Sequence, residues 1–254
     1  MSGTGGGVRA RARVLARRRE AGGTCLPVLE SDGPLALRRT RGSGDEARVV
    51  LVGAMSGPHD GDRFRVDAEA EAGARLRVQS AAATLALPGQ GEGEARYDVR
   101  VRVAAGAEVC WMPEPLISVR GSRLRMRTTA EVEAGGRLVL REEQILGRAG
   151  EEPGRLISRL TVCAGGVCLL DQELDCGPGA PGGWDGPAVL AGHRAVGQIV
   201  VVRPEFAERP VTSRRIGDTC AVLPLAGPAA LVTAVAADGL RLRRLLDDGL
   251  AAAG

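Results

Sequence analysis

Apolar and polar residues alternate with period two along much of the chain, most plainly in Val99-Arg100-Val101-Arg102-Val103 and Leu124-Arg125-Met126-Arg127-Thr128. Successive side chains of a strand point to opposite faces, so this pattern predicts half-buried β-strands. Similar alternation predicts strands over residues 64–70, 75–78, 137–140 and 160–170, with 9–15 as a first strand and 196–202 and 230–235 as late ones. Asp238 is placed to cap a short C-terminal helix carrying Leu242, Leu245, Leu246 and Leu250 on one face. No long helix is expected before it.

Four small dipeptides, Gly73-Ala74, Gly106-Ala107, Gly135-Gly136 and Gly165-Gly166, lie between alternating segments. Glycine supplies the positive φ of a tight turn, so each is read as the tip of a β-hairpin. The glycines recur at intervals of 33, 29 and 30 residues, which makes a repeating unit of about thirty. A two-stranded unit cannot bury its apolar face alone, so the units are expected to stack. The fold class expected is therefore mainly β, stacked hairpins in a β-helix or solenoid-like structure with few short α-helices, one at the C-terminus. Residues 1–7, rich in Gly, read as a flexible N-terminus, and 8–254 as a single mainly-β domain with a subregion boundary in the Gly/Pro loop 177–183.

The 254 residues are 44% hydrophobic and 26% charged, enough to bury a substantial core. All 34 basic residues are Arg, and Lys and Asn do not occur, which reads as coding bias. A net charge of +3 with interleaved signs offers no broad field for nucleic acid or a membrane surface. The six arginines between Arg9 and Arg19 lack the aromatic platforms of an RNA-binding face, since aromatic residues are 2% of the chain. The first residues show no secretory pattern, and residues 219–237, though uncharged, are interrupted by Pro224, Gly227 and Pro228. The expectation is a cytoplasmic protein that uses neither nucleic acid nor membrane.

Without Lys there is no Walker A loop and no Schiff base, and neither a dinucleotide fingerprint nor a nucleophile elbow occurs. Only two His, His59 and His193, are present, so a three-His metal centre cannot form within one chain. The chain is read as no enzyme, with no cofactor of its own. Six Cys are too sparse for a disulfide framework. Cys163 and Cys168 flank the Gly165-Gly166 turn and should face one another, either packed simply, joined in a strained disulfide or holding a soft metal.

Four motifs then stand in order. Ser56-Gly57-Pro58-His59-Asp60-Gly61-Asp62-Arg63-Phe64 closes on Gly-Asp before a strand, and the segment running from Gly73-Ala74-Arg75-Leu76-Arg77-Val78 to Ala83-Thr84 follows. Gly106-Ala107-Glu108-Val109-Cys110-Trp111-Met112-Pro113-Glu114-Pro115-Leu116-Ile117 and Leu146-Gly147-Arg148 complete the series. Together they resemble the urease accessory protein D family. Positions 50–175 carry most of the resemblance, with Gln79-Ser80-Ala81 where that family has Thr-Thr-Gln and Glu114 where it has Gln.

The resemblance implies a mainly β stack and a non-enzymatic chaperone or scaffold required for putting nickel into the urease active site. It also implies a complex with accessory proteins F and G, the latter a GTPase, docked on apo-urease. Nickel would pass transiently through an internal path, a task that suits carboxylates, carbonyls and water, which release Ni²⁺ faster than thiolate or imidazole clusters. Asp62 at the Gly-Asp motif, with Asp60 and His59, is then a candidate lining of that path; the competing reading is a turn aspartate bonding its own backbone. Glu142 and Glu143 would extend the path. Trp111, Pro113 and Glu114 are candidate partner contacts, Trp111 alternatively filling the core. The rival reading of the whole chain is a free-standing β-solenoid binding module for a carbohydrate or protein ligand.

Overall fold

The alternating segments form strands, and the strands form two facing sheets, in a computed structural model that describes residues 7–42, 44–89, 91 and 93–254. In chain order come β1 (Arg9–Arg18), β2 (Thr24–Glu30), β3 (Leu35–Thr40), β4 (Ala47–Gly53), β5 (Arg63–Ala70), β6 (Arg75–Ser80) and β7 (Thr84–Ala86). They are followed by β8 (Ala95–Val103), β9 (Glu108–Trp111), β10 (Leu116–Ser118), β11 (Arg123–Val132), β12 (Arg137–Leu146), β13 (Arg155–Ala164) and β14 (Val167–Cys176). The C-terminal part holds β15 (Ala195–Val202), β16 (Arg214–Ile216), β17 (Cys220–Pro224), β18 (Ala229–Ala236) and helix α1 (Gly239–Ala252). Residues 1–6, most of the expected flexible N-terminus, lie outside the described residues.

One sheet runs in the order β14-β13-β11-β8-β5-β1-β2, the other β16-β17-β18-β15-β12-β9-β6-β4-β3, with β7 and β10 paired to each other beside β12. Within the first, β1, β5, β8, β11 and β13 are parallel, and from β5 onward each residue meets one 33, 29 or 32 positions further on. Their apolar residues point inward and their charged ones outward. Phe64, Val66, Val99, Val101, Leu124, Leu156 and Leu160 meet Leu37, Val49, Leu76, Val109, Leu138 and Leu140 of the other sheet in one continuous core.

Three of the four expected hairpins are therefore corners. Gly73, Gly106 and Gly135 each occupy the third position of a four-residue turn, closed by Ala74 N–H to Glu71 O, Ala107 N–H to Ala104 O and Gly136 N–H to Glu133 O at 2.9–3.0 Å. Their φ values of 69°, 67° and 80° lie where glycine is favoured. The chain leaves each corner into the opposite sheet and pairs with the next coil rather than with its own preceding strand. Only Gly165-Gly166 turns a true hairpin, with β13 and β14 antiparallel. A glycine turn between alternating segments suits both outcomes, and pairing across thirty residues decides between them.

The parallel stack is closed at both ends by antiparallel pairs, β2 on β1 and β3 on β4 at one, β14 on β13 and β15 on β12 at the other. Beyond β15 the second sheet continues through β18, β17 and β16, and α1 packs on its outer face. Asp238 caps α1 by accepting from Arg241 N–H at 2.9 Å. Leu242 and Leu246 are fully buried in a second core with Ile199, Val222 and Val232. Gly249 allows the close approach, because a Cβ there would lie 2.4 Å from Val232 Cγ1.

Candidate functional site

Two groups of residues carry polar chemistry inside or at the edge of the stack. The first is the corner before β5. His59, Asp60, Gly61 and Asp62 form a turn closed by Asp62 N–H to His59 O at 3.0 Å, with Gly61 at φ 84°. Asp62 is buried, and both carboxylate oxygens accept backbone N–H groups, Oδ1 from Val8 at 2.8 Å and Oδ2 from His59 at 2.9 Å. It thus ties the corner to the start of β1, as a turn aspartate does. Asp60, with a side chain only 4% exposed, accepts from Arg123 Nη2 at 3.1 Å through Oδ2, while its Oδ1 has no partner among the described residues. His59 Nδ1 lies 3.3 Å from Pro88 O.

The second group is the interior of β12. Leu138 and Leu140 point into the core, and two-residue periodicity carries Glu142 and Gln144 to the same face before Leu146 resumes the apolar series. Gln144 Nε2 donates to Ser158 Oγ of β13 at 2.9 Å. Glu142 is 4% exposed and faces Gln198 across the β12/β15 pair, near Thr128 of β11. Those two polar groups favour its charged form, yet neither reaches hydrogen-bond geometry, and both Glu142 oxygens stay without a partner among the described residues. Burial outweighs them and pushes the carboxyl up to about 7.

Glu142 and Gln144 line a small pocket of about 40 Å³, with Tyr97, Trp111 and Met126 also on its wall. That volume admits a few water molecules. A surface groove of about 140 Å³, walled by Met55, Ala83 and Leu85 among others, shares Leu51, Ser80, Thr84 and Tyr97 with it.

The sheet itself is interrupted beside the cavity. β12 pairs with β9 through residues 137–140 and with β10 through 144–146, which leaves 141–143 unpaired on that side. The chain crossing opposite is Met112-Pro113-Glu114-Pro115, whose two prolines cannot donate to a ladder. Ser80 Oγ accepts from Glu114 N–H at 2.8 Å and fixes this crossing. A window results, bordered by Glu114 and by Glu143, which points outward beneath α1 with its side chain 1% exposed. Trp111 is buried inside the stack, so its ring packs in the core, while Pro113 and Glu114 are half-buried at the window.

The structure thus brings His59, Asp60 and Asp62 together at one corner and sets Glu142 in the interior. Among the described residues no three His, Cys, Asp or Glu side chains form a group able to hold a metal ion. Cys163 and Cys168 do face each other across the β13/β14 hairpin, as free thiols. Burial and then the neighbouring Cys168 push the Cys163 thiol up. Sequence reasoning missed Thr128 and Gln198 as companions of Glu142, Ser158 as the partner of Gln144, and Arg243 at the window. For Glu142 and Gln144 the signal was present, since extending the Leu138/Leu140 series by two and four places puts both inside. Among the described residues, no helix is long and apolar enough to cross a membrane.

Comparison with known proteins is uniform. The sequence model of the family described as UreD urease accessory protein matches residues 8–253. A urease accessory protein UreD of Streptomyces coelicolor is 68% identical over 99% of this chain and 99% of its own length. Its counterpart in Streptomyces avermitilis is 66% identical over 99% of this chain and 100% of its own length. The similarly named protein of Frankia alni is 40% identical over 94% of this chain and 91% of its own length.

Proposed function

The chain belongs to the UreD urease accessory protein family, and from that premise we propose that it is a non-enzymatic chaperone through whose interior nickel passes on its way into urease. It works in the cytoplasm, docked on apo-urease together with accessory proteins F and G, and the GTPase among them supplies the nucleotide chemistry that a chain without Lys has no loop to perform. Nickel is cargo here, held weakly and briefly.

The observation that supports this reading is Glu142. A buried carboxylate without hydrogen-bond partners is costly, and the cost is usually relieved by a proton, a paired cation or a ligand. Here it faces a small cavity beside Gln144, while Gln198 and Thr128 stand near it with side-chain oxygens that also lack partners among the described residues. Oxygen donors of this kind suit a divalent cation without trapping it. At the corner, Asp60 keeps one oxygen for such a role, whereas Asp62 has both engaged by backbone. His59 stands beside them as a further transient contact. Pro113 and Glu114 are the proposed partner contacts on the outer surface.

The test is co-expression of Glu142→Gln with apo-urease and the other accessory proteins. Urease that contains little nickel, from cells in which the complex still assembles, supports the reading. Normal nickel content with Glu142→Gln would remove the conduit.

A further inference from the structure

All six cysteines are free thiols, and four of them are engaged singly. Cys25, Cys176 and Cys220 donate to the backbone carbonyls of Arg17, Leu156 and Leu245 at 3.4, 3.7 and 3.5 Å, and Cys110 accepts from Arg77 Nη1 at 3.1 Å. Among the described residues only Cys163 and Cys168 stand opposite one another in a strand pair. A β-bulge puts them there. Leu170 opposes Val162, so an unbroken register would set Leu169 against Cys163 and Cys168 against Ala164; the extra residue in β14 brings Cys168 to Cys163 instead.

Directly opposed residues of an antiparallel pair have Cα atoms about 4.5–5.5 Å apart, inside the span of roughly 4.4–6.8 Å that a disulfide bridges. The tip beyond them is Gly165-Gly166, at φ 57° and 81°, with no side chains to resist the change of twist that closure brings. The pair is also reachable. β14 is an edge strand, Cys168 is exposed and Cys163 half-buried. Cys163 shares the wall of a surface groove of about 700 Å³ with Val103, Val132, Gly165 and Gly166, which leaves space for a small molecule beside its sulfur.

We propose that Cys163 and Cys168 are a reversible modification site, a dithiol that a low-molecular-weight disulfide converts to a cross-strand bridge. Cys168, the outer sulfur, reacts first. Its thiolate attacks one sulfur of the small disulfide, that S–S bond breaks, and one small thiolate leaves and takes up the proton that Cys168 gave up. Cys163 then loses its proton and attacks the Cys168 sulfur, expelling the second small thiol. Two protein thiols are oxidised by two electrons, and one small disulfide is reduced to two thiols. Burial and then Cys168 push the Cys163 thiol up, and the second of these causes ends once the Cys168 sulfur is in the mixed disulfide. An exposed bridge of this kind belongs to the labile class, so excess small thiol reopens it.

The experiment treats the full chain with oxidised glutathione, then alkylates the free thiols and counts them by mass spectrometry. The wild type should lose two alkylatable thiols and retain no glutathione, fragment spectra should link Cys163 to Cys168, and excess reduced glutathione should restore both. Cys163→Ser should retain one glutathione on Cys168, and Cys168→Ser should react at Cys163 about tenfold more slowly than the wild type reacts. Glutathione retained on both sulfurs, both thiols left free, or a bridge that reduced glutathione does not reopen overturns the proposal. So does Zn²⁺ that shields both thiols from alkylation while oxidised glutathione forms no bridge, which would make the pair a metal site. Should either variant lose its β content, the wild-type linkage and its reopening decide alone. Neither nickel nor urease takes part, so this outcome is independent of the conduit.

Discussion

Glu142 stands opposite Gln198 in the antiparallel pairing of β12 with β15, and both side chains are buried with oxygens that lack a hydrogen-bond partner among the described residues. Such a pairing inside an apolar core is destabilising, so its replacement separates function from stability. Glu142→Leu should raise the unfolding midpoint in denaturant while abolishing nickel delivery to urease. A variant that is more stable and still fully active would show that the carboxylate has no part in the cargo's route.

The same group sets a pH dependence. Its carboxyl titrates about 7 in the folded protein against an ordinary value of 4.5, burial being the main cause, opposed only by Thr128 and Gln198. The folded state thus binds the proton more tightly than the unfolded chain does, so stability falls as pH rises from 4.5 to 7 and stays low above it. The loss from this group is up to about 3 kcal/mol. Urea unfolding at pH 5 and pH 8 should show that loss in the wild type and a much smaller one in Glu142→Gln; equal losses would contradict the assignment.

At the corner before β5, Asp62→Ala strips the carboxylate from two backbone N–H groups, those of Val8 and His59. Charge-assisted bonds of this kind make the expected loss about 2–3 kcal/mol. Urease activation should fall only in proportion to the protein that remains folded. Full stability combined with lost activation would move Asp62 from the turn to the nickel path.

Gly249→Ala places a methyl 2.4 Å from Val232 Cγ1. Overpacking costs about 1–3 kcal/mol and the better helix propensity of Ala returns about 1 kcal/mol, so a net loss of up to about 2 kcal/mol is expected. Val232→Ala in the same chain should recover part of it, and a double-mutant cycle with no coupling would show that the helix shifts freely instead.

Much of the strand pattern was legible because the inward residues of a two-sheet stack have to alternate with outward ones. β5, β8, β11 and the helix after Asp238 fall where that pattern put them. The corners were read as hairpins because Gly73, Gly106 and Gly135 fix a local turn but carry no information about the strand thirty residues away. β2 and β3 are blurred by Pro27 and by irregular burial, while β4 alternates in burial but reads as the continuous apolar run Val49-Val50-Leu51-Val52, in which the period does not show. Of the candidate site, Glu142 was visible as an acid in a strand, but its surroundings include Thr128 of β11 and Gln198 of β15, brought beside it only by the fold. Arg243 could not be foreseen at the window at all, because it meets Glu114 across 129 positions of sequence.

The five parallel strands β1, β5, β8, β11 and β13 advance by one interstrand spacing per coil, about 4.8 Å each, with antiparallel pairs closing either end. The distance between the two end faces is consequently counted in whole coils, as on a ruler, and cannot be adjusted by fractions. Surface side chains can drift freely under such an arrangement, whereas any gain or loss of a coil would move whatever rests on one end by a full increment relative to whatever rests on the other.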